Sequence, residues 1–572
     1  MVRRVLLSQQ SPQRGTGYTI LFLIIVLVCS AVMLQVPATV DAEDTAAQLL
    51  RRQIEPAGKP PKICVGTECI FSSEVLPLFY ERRSYQPAWS TAHGLSTAVP
   101  ALVAEIEAAF QEGLEPTDYH LAKIQELRKN VENVQSSGNL VHPQMMVELD
   151  LLLTDAFLTY ASHLLAGRVN PETIDPEWQV HRREKDLPAH LQTALETGTV
   201  QQALQSLLPV HPGYQYLRKT LEQYRHIAQE GGWPQVPDGP TLHKNECSDR
   251  IVALRNRLIV SGDIRKTNEQ EDFFDEILEE AVRTFQYRHG LDVDGIIGPA
   301  TLEALNVPVE SRIRQVILNL ERWRWLPQYL GNRYILINIA DFDLQVVDGG
   351  EAVMTMRVVV GRNFRPTPVF SDRITYMVLC PYWHVPKIVA MEDIVPMECE
   401  YPGYLQEQHF QVFLGWGEET IELDPREIHW CDVTSEGFAY RFRQEPGPLN
   451  ALGRMKFMFP NQHNVYLHDT PARDLFYRSS RAFSSGCIRI EKPLALAEYL
   501  LQKDPRWTRE ALVEALDKNV ERIVDLPEDM PVHLLYWTAW AEREGIVHFR
   551  NDIYGRDESL RLALSSSPPK AF

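Results

Sequence analysis

The spacing of apolar residues divides the chain into a helical first part and a strand-rich second part. Before about residue 240, apolar residues recur every three or four positions, as in residues 99–113 and 145–167, and this period predicts amphipathic helices. After Arg333 the period changes to two in short runs such as residues 334–339 and 344–347, which predict β-strands. The expected fold class is therefore α+β with several domains.

Chain length and turn-forming residues set the predicted domain boundaries. The chain has 572 residues, enough for about three or four domains of ordinary size. Glycine and proline crowd residues 231–240, which indicates a linker. The predicted units are a helical scaffold domain (43–240), a three-helix domain (241–308), a β-rich domain (309–564) with an inserted lid-like segment at about 397–449, and a tail (565–572).

The first 42 residues predict either a signal peptide or a membrane anchor. Arg3, Arg4 and Arg14 precede a charge-free run over residues 18–40, which is almost long enough to span a bilayer. Both alternatives place the remaining chain outside the cytoplasm, in the periplasm or secreted. The formal net charge of −19 does not favour binding to a phosphate backbone, so no nucleic-acid partner is expected.

Seven cysteines follow this segment, and an odd number cannot all pair within one chain. They are Cys64, Cys69, Cys247, Cys380, Cys399, Cys431 and Cys487. Cys64 and Cys69 lie close in sequence without neighbouring histidines, so we expect a local disulfide there rather than a zinc site.

The predicted three-helix domain carries a recognisable pattern. Two apolar faces, one of them running from Ile277 to Phe285, are followed by a helix end at Gly290 and a proline-started helix after Gly298. Residues 281–306 resemble the peptidoglycan-binding domain. An EF-hand frame fits Asp292, Asp294 and Glu303, but Ile297 stands where that loop requires glycine, so calcium is not expected.

The chemistry-bearing residues lie on two predicted strands, residues 464–470 and 484–490. Alternation places Tyr466 and His468 on one face of the first strand and Cys487 and Arg489 on one face of the second. If the strands are neighbours, these four groups converge. A histidine within hydrogen-bond reach can then activate the Cys487 thiol as a nucleophile.

The turn before Cys487 suggests an oxyanion site. Gly486 permits a tight turn, so the N–H groups of Gly486 and Cys487 could face a developing oxyanion. Asp469 follows His468 directly and points to the opposite strand face, so we expect a backbone carbonyl, not this carboxylate, to orient the imidazole.

This constellation resembles the catalytic domain of L,D-transpeptidases. With the upstream peptidoglycan-binding unit it is similar to the large Gram-negative type, over roughly residues 70–557. The resemblance implies Cys487 as nucleophile and His468 as general base. It also implies oxyanion or substrate contacts by Gly486, Ser485, Tyr466, Arg489 and Trp383. Many family members carry histidine where Ser485 stands, although the large type often has serine there.

The resemblance implies transfer of an acyl group from a tetrapeptide stem to an acceptor amine, with release of D-alanine. Water as acceptor would give an L,D-carboxypeptidase, and a non-catalytic wall-binding scaffold is a third reading. A zinc hydrolase using His463, His468, Asp469 and Cys487 lacks any regular ligand spacing. We therefore expect no metal or cofactor. The implied partners are peptidoglycan stems, with inner-membrane anchoring and other wall-synthesis enzymes as further candidates.

Overall fold

The protein is described here from a computed structural model. It describes residues 42–55, 62–91, 94–179, 182–265, 271–415, 420–543 and 545–566. Nearly all of the predicted signal or anchor segment, residues 1–42, and most of the predicted tail lie outside these ranges. Within them, no helix combines the length and apolar character needed to cross a bilayer.

The N-terminal part is a helical unit around one central helix. Its helices are Ala42–Ile54 (α1), Leu76–Arg82 (α2), Ala98–Glu107 (α3), Leu121–Ser136 (α4), Pro143–Ala166 (α5), Leu187–Thr197 (α6), Val200–Gln205 (α7) and Pro212–Gln229 (α8). Its short strands are Cys64–Val65 (β1), Glu68–Cys69 (β2), Ser90–Thr91 (β3), Gly94–Leu95 (β4) and Trp178–Gln179 (β5).

Helix α5 ends before Gly167 as predicted, but it is not amphipathic. From Leu149 to its end every side chain is buried, because other helices surround it. Two carboxylates inside this helix accept hydrogen bonds from main-chain N–H groups of nearby loops. Asp150 accepts hydrogen bonds from the N–H groups of Ala88 and Trp89, and Asp155 accepts one from the N–H of Ser72.

The next unit contains the three predicted short helices. They are Asp249–Val260 (α9), Glu276–Arg288 (α10) and Pro299–Leu305 (α11). Ser248 and Asp275 cap the first two by accepting hydrogen bonds from Arg250 N–H and Leu278 N–H. Ile277, expected on the buried face of α10, is 46% exposed because it lies in the first turn, outside the packed stripe.

The linking helix Val309–Arg324 (α12) leads into the β-rich part. Its long strands are Arg333–Asn338 (β6), Asp343–Asp348 (β7), Glu351–Gly361 (β8) and Val369–Leu379 (β9). The later elements are Met455–Met458 (β14), Leu467–His468 (β15), Ala482–Ser484 (β16), Ile488–Ile490 (β17), Pro493–Leu501 (α16), Arg509–Asp517 (α17), Arg522–Leu535 (β18), Ala539–Ala541 (β19), Val547–Phe549 (β20) and Arg556–Ser565 (α18).

The main sheet closes on itself. Its order is β14-β15-β17-β8-β7-β6-β18-β9, and β14 also pairs with β9. Alternating side chains of these strands fill the interior with residues such as Ile335, Val358 and Leu467. The closed sheet fixes β15 and β17 side by side.

The insertion forms a small subdomain that begins earlier than predicted. It consists of Trp383–His384 (β10), Lys387–Val389 (α13), a π-helical turn Ala390–Ile394, Val395–Glu400 (α14), Tyr404–Glu407 (α15), Phe410–Leu414 (β11), Ile421–Leu423 (β12) and Tyr440–Gln444 (β13). Its sheet order is β10-β13-β11-β12. The subdomain therefore starts at Trp383, because β10 pairs with β13 and not with the main sheet.

The disulfide lies in this subdomain and not where the sequence suggested. Cys399 and Cys431 are bonded, with a Cα–Cα distance of 5.2 Å. Cys64 and Cys69 face each other across the β1–β2 hairpin with their Sγ atoms 2.9 Å apart, and they are free thiols. The bonded pair was missed because its partners are 32 positions apart and meet only through the subdomain fold.

Two elements of the helical part belong to the β-rich core. Strand β5 extends the main sheet by pairing in parallel with the start of β9, Trp178 opposite Val369. Helix α8 packs Tyr214 and Leu217 into a core shared with Trp323 of α12. The main sheet is thus built partly from the first half of the chain.

Candidate active site

Parallel pairing of β15 with β17 brings the predicted residues together. His468 lies opposite Arg489, and Leu467 opposite Ile488. Strand β14 flanks β15 on its other side and places Lys456 opposite His468. Cys487 lies directly before β17, so the thiol, the imidazole and two cations occupy one region.

His468 is buried and held by the main chain. Its Nδ1 lies 2.6 Å from the carbonyl oxygen of Asp469, which fixes Nδ1 as the protonated nitrogen and leaves Nε2 as an acceptor. The Asp469 carboxylate is engaged elsewhere, accepting the N–H of Arg454 and pairing with Arg473 at 3.1 Å. The geometry agrees with the expected carbonyl orienter.

The surroundings of His468 keep the imidazole neutral. Burial, followed by the positive charge of Arg489, lowers the pKa of His468 to about 3. A neutral imidazole that carries its proton on Nδ1 can accept a second proton on Nε2, as a general base requires.

Cys487 also carries no charge at neutral pH. Burial raises the pKa of Cys487 from its ordinary 9.0, while the N–H and hydroxyl of Tyr466, and then Lys456 and Arg489, act in the opposite direction. The Sγ atom lies 3.8 Å from the carbonyl oxygen of Asn464. Of the groups that favour the thiolate, the two hydrogen bonds from Tyr466 act most strongly on Cys487.

Lys456 is a site residue that the sequence reasoning missed. Its Nζ lies 3.9 Å from the centre of the Tyr466 ring, and burial lowers the pKa of Lys456. The available signal is a lone lysine between the apolar Met455 and Phe457, which are buried neighbours in β14. Such a lysine points away from the core, but its neighbour could not be known before the pairing of β14 with β15.

Arg489 has an unused hydrogen-bond donor. Its Nε is buried and has no protein partner among the described residues. Burial and the charge of Arg362 lower the pKa of Arg489, although a guanidinium remains protonated at neutral pH. Arg489 and Lys456 together make the site suited to carboxylate-bearing substrates.

The turn before Cys487 differs from the expected oxyanion arrangement. Gly486 has φ of 107°, a conformation that favours glycine, but its N–H donates to Ser484 Oγ at 3.2 Å. Ser484 Oγ in turn donates to the Cys487 carbonyl at 2.5 Å, and Thr367 Oγ1 donates to the Gly486 carbonyl at 2.9 Å. Gly486 therefore shapes the turn, and the Cys487 N–H remains the candidate oxyanion donor.

An ionic clasp of Arg362, Arg365, Glu392 and Asp393 joins this turn to the insertion. Arg365 donates to Ser485 Oγ at 2.8 Å and to Asp393 at 2.6 Å, and it also contacts Glu392. Arg362 reaches the same serine and Asp393 at 3.3 Å. Ser485 thus lies at the end of a charged connection from the π-helical turn to the candidate nucleophile.

Trp383 belongs to the inserted subdomain. It lies on β10, opposite Gln444, and its ring centre is 5.9 Å from that of Phe410. The other predicted site residues lie on or beside β15 and β17. Trp383 therefore lies in a different sheet from the other predicted site residues.

The proposed zinc ligands do not form a metal centre in the described part of the chain. There, no three histidine, cysteine or acidic side chains are arranged to hold an ion. His463 packs against Phe370 at 5.1 Å, and Asp469 is engaged by Arg473.

Three known domain families match the chain. Residues 332–508 match the "L,D-transpeptidase catalytic domain", residues 248–305 the "Putative peptidoglycan binding domain", and residues 74–221 the "Scaffold domain". The first match contains both Cys487 and His468. These matches confirm the family resemblance and the fold class expected from the sequence.

A named relative is similar to this chain over part of its length. A Haemophilus influenzae protein named "Putative L,D-transpeptidase" is 37% identical over 255 residues, 44% of this chain and 50% of that protein. The chain thus spans half the length of that relative.

Solved L,D-transpeptidases of Xylanimonas cellulosilytica and Stackebrandtia nassauensis are 14% and 12% identical. They cover 52% and 53% of this chain and 100% and 96% of their own chains. Their TM-scores of 0.19 and 0.20 carry no weight, so the assignment rests on the domain matches. The chain contains an L,D-transpeptidase catalytic domain, together with a peptidoglycan-binding domain and a helical scaffold domain.

Proposed function

We propose that the chain is a peptidoglycan L,D-transpeptidase that forms 3-3 cross-links by cysteine acyl transfer. The observation that carries this proposal is the register of β15 and β17, which places a neutral, carbonyl-oriented His468 beside the strand that follows Cys487. This arrangement lies inside the region that matches the catalytic family.

In the first half-reaction, Nε2 of His468 takes the Cys487 proton as Sγ attacks the carbonyl carbon of the third stem residue. The Cys487 N–H and the Tyr466 hydroxyl are the donors that we assign to the resulting oxyanion. When this tetrahedral oxyanion intermediate collapses, the bond between the third and fourth residues breaks. The imidazolium of His468 then gives its proton to the amine of the leaving D-alanine. A thioester on Cys487 and a neutral His468 remain.

In the second half-reaction, the side-chain amine of another stem attacks the thioester. His468 accepts a proton from the attacking amine and returns it to the departing sulfur, which restores the thiol. With water as the attacking group, the same steps would release a tripeptide and make the enzyme a carboxypeptidase.

The cations beside the thiol fit a peptide stem as the donor. Stems carry carboxylates, and Arg489 offers a buried N–H that has no partner in the described part of the chain. The proposed action on peptidoglycan also places the enzyme outside the cytoplasm. The proposal includes attachment to the inner membrane through residues 1–42. It also includes association with other wall-synthesis enzymes.

The test is intact-protein mass spectrometry of the full chain mixed with a carbapenem, whose β-lactam ring imitates the acyl donor. We expect one adduct, mapping to Cys487. Cys487→Ser should give no adduct, and Cys247→Ser, which alters an exposed thiol, should react like the unsubstituted protein.

Product analysis with tetrapeptide-bearing muropeptides then identifies the acceptor. Cross-linked dimers would support the transpeptidase, while tripeptides alone would indicate the carboxypeptidase. Absence of both adduct and turnover would contradict the proposal and leave a wall-binding scaffold.

A further inference from the structure

The peptide group between Gly486 and Cys487 is held by the protein on its carbonyl side. Its oxygen, on Gly486, accepts a hydrogen bond from Thr367 Oγ1 at 2.9 Å. Its N–H, on Cys487, donates to no main-chain carbonyl in the described part of the chain. Because a peptide group is planar and almost always trans, its C=O and N–H point in opposite directions. A bond that fixes this carbonyl therefore also fixes the direction of the candidate oxyanion donor.

The hydroxyl of Thr367 is fully used inside the protein. Thr367 is buried, and its Oγ1 accepts a hydrogen bond from the N–H of Gly361 at 2.9 Å. A hydroxyl group has a single proton, and in Thr367 that proton is directed to the Gly486 carbonyl. The direction of the O–H bond is thus set by the protein and does not depend on a substrate.

The main chain of Thr367 is held on both sides of its side chain. Its N–H donates to Tyr554 Oη at 3.3 Å, and that hydroxyl donates to the Gly361 carbonyl at 2.6 Å. Its carbonyl accepts a hydrogen bond from Arg556 Nη1 at 3.3 Å. The loop is also tightly packed, since a Cβ atom on Gly361 would lie 2.9 Å from the nitrogen of Thr367. Thr367 is therefore a rigid support for the peptide group that it contacts.

This support extends to the helical N-terminal unit. Arg556 is buried, and its Nε pairs with Asp175 of that unit at 2.7 Å. Asp175 lies just before β5, whose Trp178 pairs with Val369, two residues after Thr367. The helical unit thus holds Thr367 through an ion pair of Arg556 and through the pairing of β5 with β9.

We propose that Thr367 is a positioning residue that directs the Cys487 N–H toward the oxyanion formed during acylation. The proposal rests on the proposed function, because it refines the acyl-transfer step at the same nucleophile. Thr367 is buried, so it acts through the Gly486–Cys487 peptide group. Its hydrogen bond also polarises that group, which makes the N–H a stronger donor. Loss of the hydroxyl should weaken oxyanion stabilisation and leave the thiol and His468 in place.

The experiment compares two reactions of the full chain at Cys487. A carbapenem acylates the thiol through a tetrahedral oxyanion, whereas iodoacetamide alkylates it by displacement of iodide and forms no oxyanion. Thr367→Val keeps the branched shape of the side chain and removes the hydroxyl. It should slow acylation about 10- to 100-fold, somewhat less than the removal of an oxyanion donor does, and should leave the alkylation rate unchanged. Peptide mass spectrometry assigns each adduct to Cys487, because Cys64, Cys69 and Cys247 are exposed thiols.

Two further variants test whether the hydroxyl itself is responsible. Thr367→Ser retains the hydroxyl and should recover most of the acylation rate. Thr220→Val is the matched control, because Thr220 is also buried and its Oγ1 donates to the carbonyl of Tyr216 in α8. It should be acylated like the unsubstituted chain.

Tyr554→Phe tests the same support if Thr367→Val does not fold in a thermal melt. It keeps the ring and removes only the hydroxyl that contacts the main chain of Thr367. We expect acylation to slow about two- to tenfold, the size of one hydrogen bond, with alkylation unchanged.

Equal slowing of acylation and alkylation would overturn the proposal, because it would show that the variants displace the thiol. Unaltered acylation in a folded Thr367→Val variant, or the same loss in Thr367→Ser, would also overturn it. If the unsubstituted chain is alkylated at Cys487 and is not acylated by the carbapenem, the proposed function fails, and the positioning role fails with it.

Discussion

Burial keeps both members of the proposed catalytic pair uncharged. The pKa of Cys487 is raised above 9.0 and that of His468 is lowered to about 3, so thiol and imidazole coexist over the whole neutral range. This differs from a preformed thiolate–imidazolium pair, in which the cysteine pKa is lowered. Proton transfer should therefore accompany attack on the substrate instead of preceding it.

This state predicts a distinctive pH profile. The rate of carbapenem acylation should be flat from about pH 5 to about pH 8, because neither member titrates there, and it should rise as the thiol ionises at higher pH. Stopped-flow or quenched mass spectrometry would measure it, with carbapenem hydrolysis in buffer subtracted. A rate that drops below about pH 7 would show that His468 titrates near its ordinary value.

The unpaired donor of Arg489 predicts a role in substrate recognition. Arg489→Gln should lower kcat/KM for a tetrapeptide donor by about 10- to 100-fold, the size of a hydrogen bond to a charged group. Arg506→Gln, which alters a highly exposed arginine, is the matched control. If the variant is equally impaired on a donor whose carboxylates are amidated, Arg489 does not act through substrate charge.

At the scale of elements, the ionic clasp connects the insertion to the turn before Cys487. Arg365 is 8% exposed in its side chain and contacts acidic residues of the π-helical turn as well as Ser485. The π-helical turn lies just before Pro396, which cannot donate a main-chain hydrogen bond to the preceding helical turn. The ion pairs of Arg365 are therefore made with an irregular part of the helical segment, at Glu392 and Asp393.

We predict that Arg365→Gln frees the insertion and misplaces Ser485. Hydrogen exchange over residues 387–407 should become faster. Carbapenem acylation should slow by about tenfold, because the turn before Cys487 loses its hydrogen bond from Arg365 to Ser485. The control is Arg426→Gln, an exposed arginine of the same subdomain. Unaltered exchange in the Arg365 variant would mean that the clasp does not hold the insertion.

The sequence predicted elements whose pattern is local and missed those set by distant partners. Period and capping residues indicated α9, α10 and α11, and alternation placed His468 and Arg489 on strands that prove to be neighbours. Cys487, predicted on the second strand, lies directly before it. The burial of α5 on all sides was not predictable, since its polar Asp150 and Asp155 made it look half-exposed. Lys456 and the Cys399–Cys431 bond likewise depend on contacts that no local pattern records.

At the scale of the whole molecule, the three-helix unit closely approaches the segment that follows the β19–β20 hairpin, and the contact lies at Gly290. Gly290 has φ of 66°, and a Cβ atom there would lie 2.5 Å from Cδ of Arg550. Glycine is thus required both for the backbone conformation and for the docking of the two units.

Gly290→Ala should therefore loosen the docked unit. We expect a loss of about 1–3 kcal/mol in the free energy of unfolding and faster hydrogen exchange in α10 and β20. Gly262→Ala is the matched control, because Gly262 has φ of 79° with open space where the Cβ would lie. Equal losses in both variants would attribute the effect to the backbone conformation alone and not to docking.

The pairing of β5 with β9 has a consequence for how the chain folds. Trp178 is synthesised long before Val369, so the start of β9 gains its β5 neighbour only through a contact of very high sequence separation. Contacts of this kind form late, and before they form the exposed edge of β9 is available to other chains. A fragment beginning after the helical part would keep that edge open, so its tendency would be to aggregate before it gained activity.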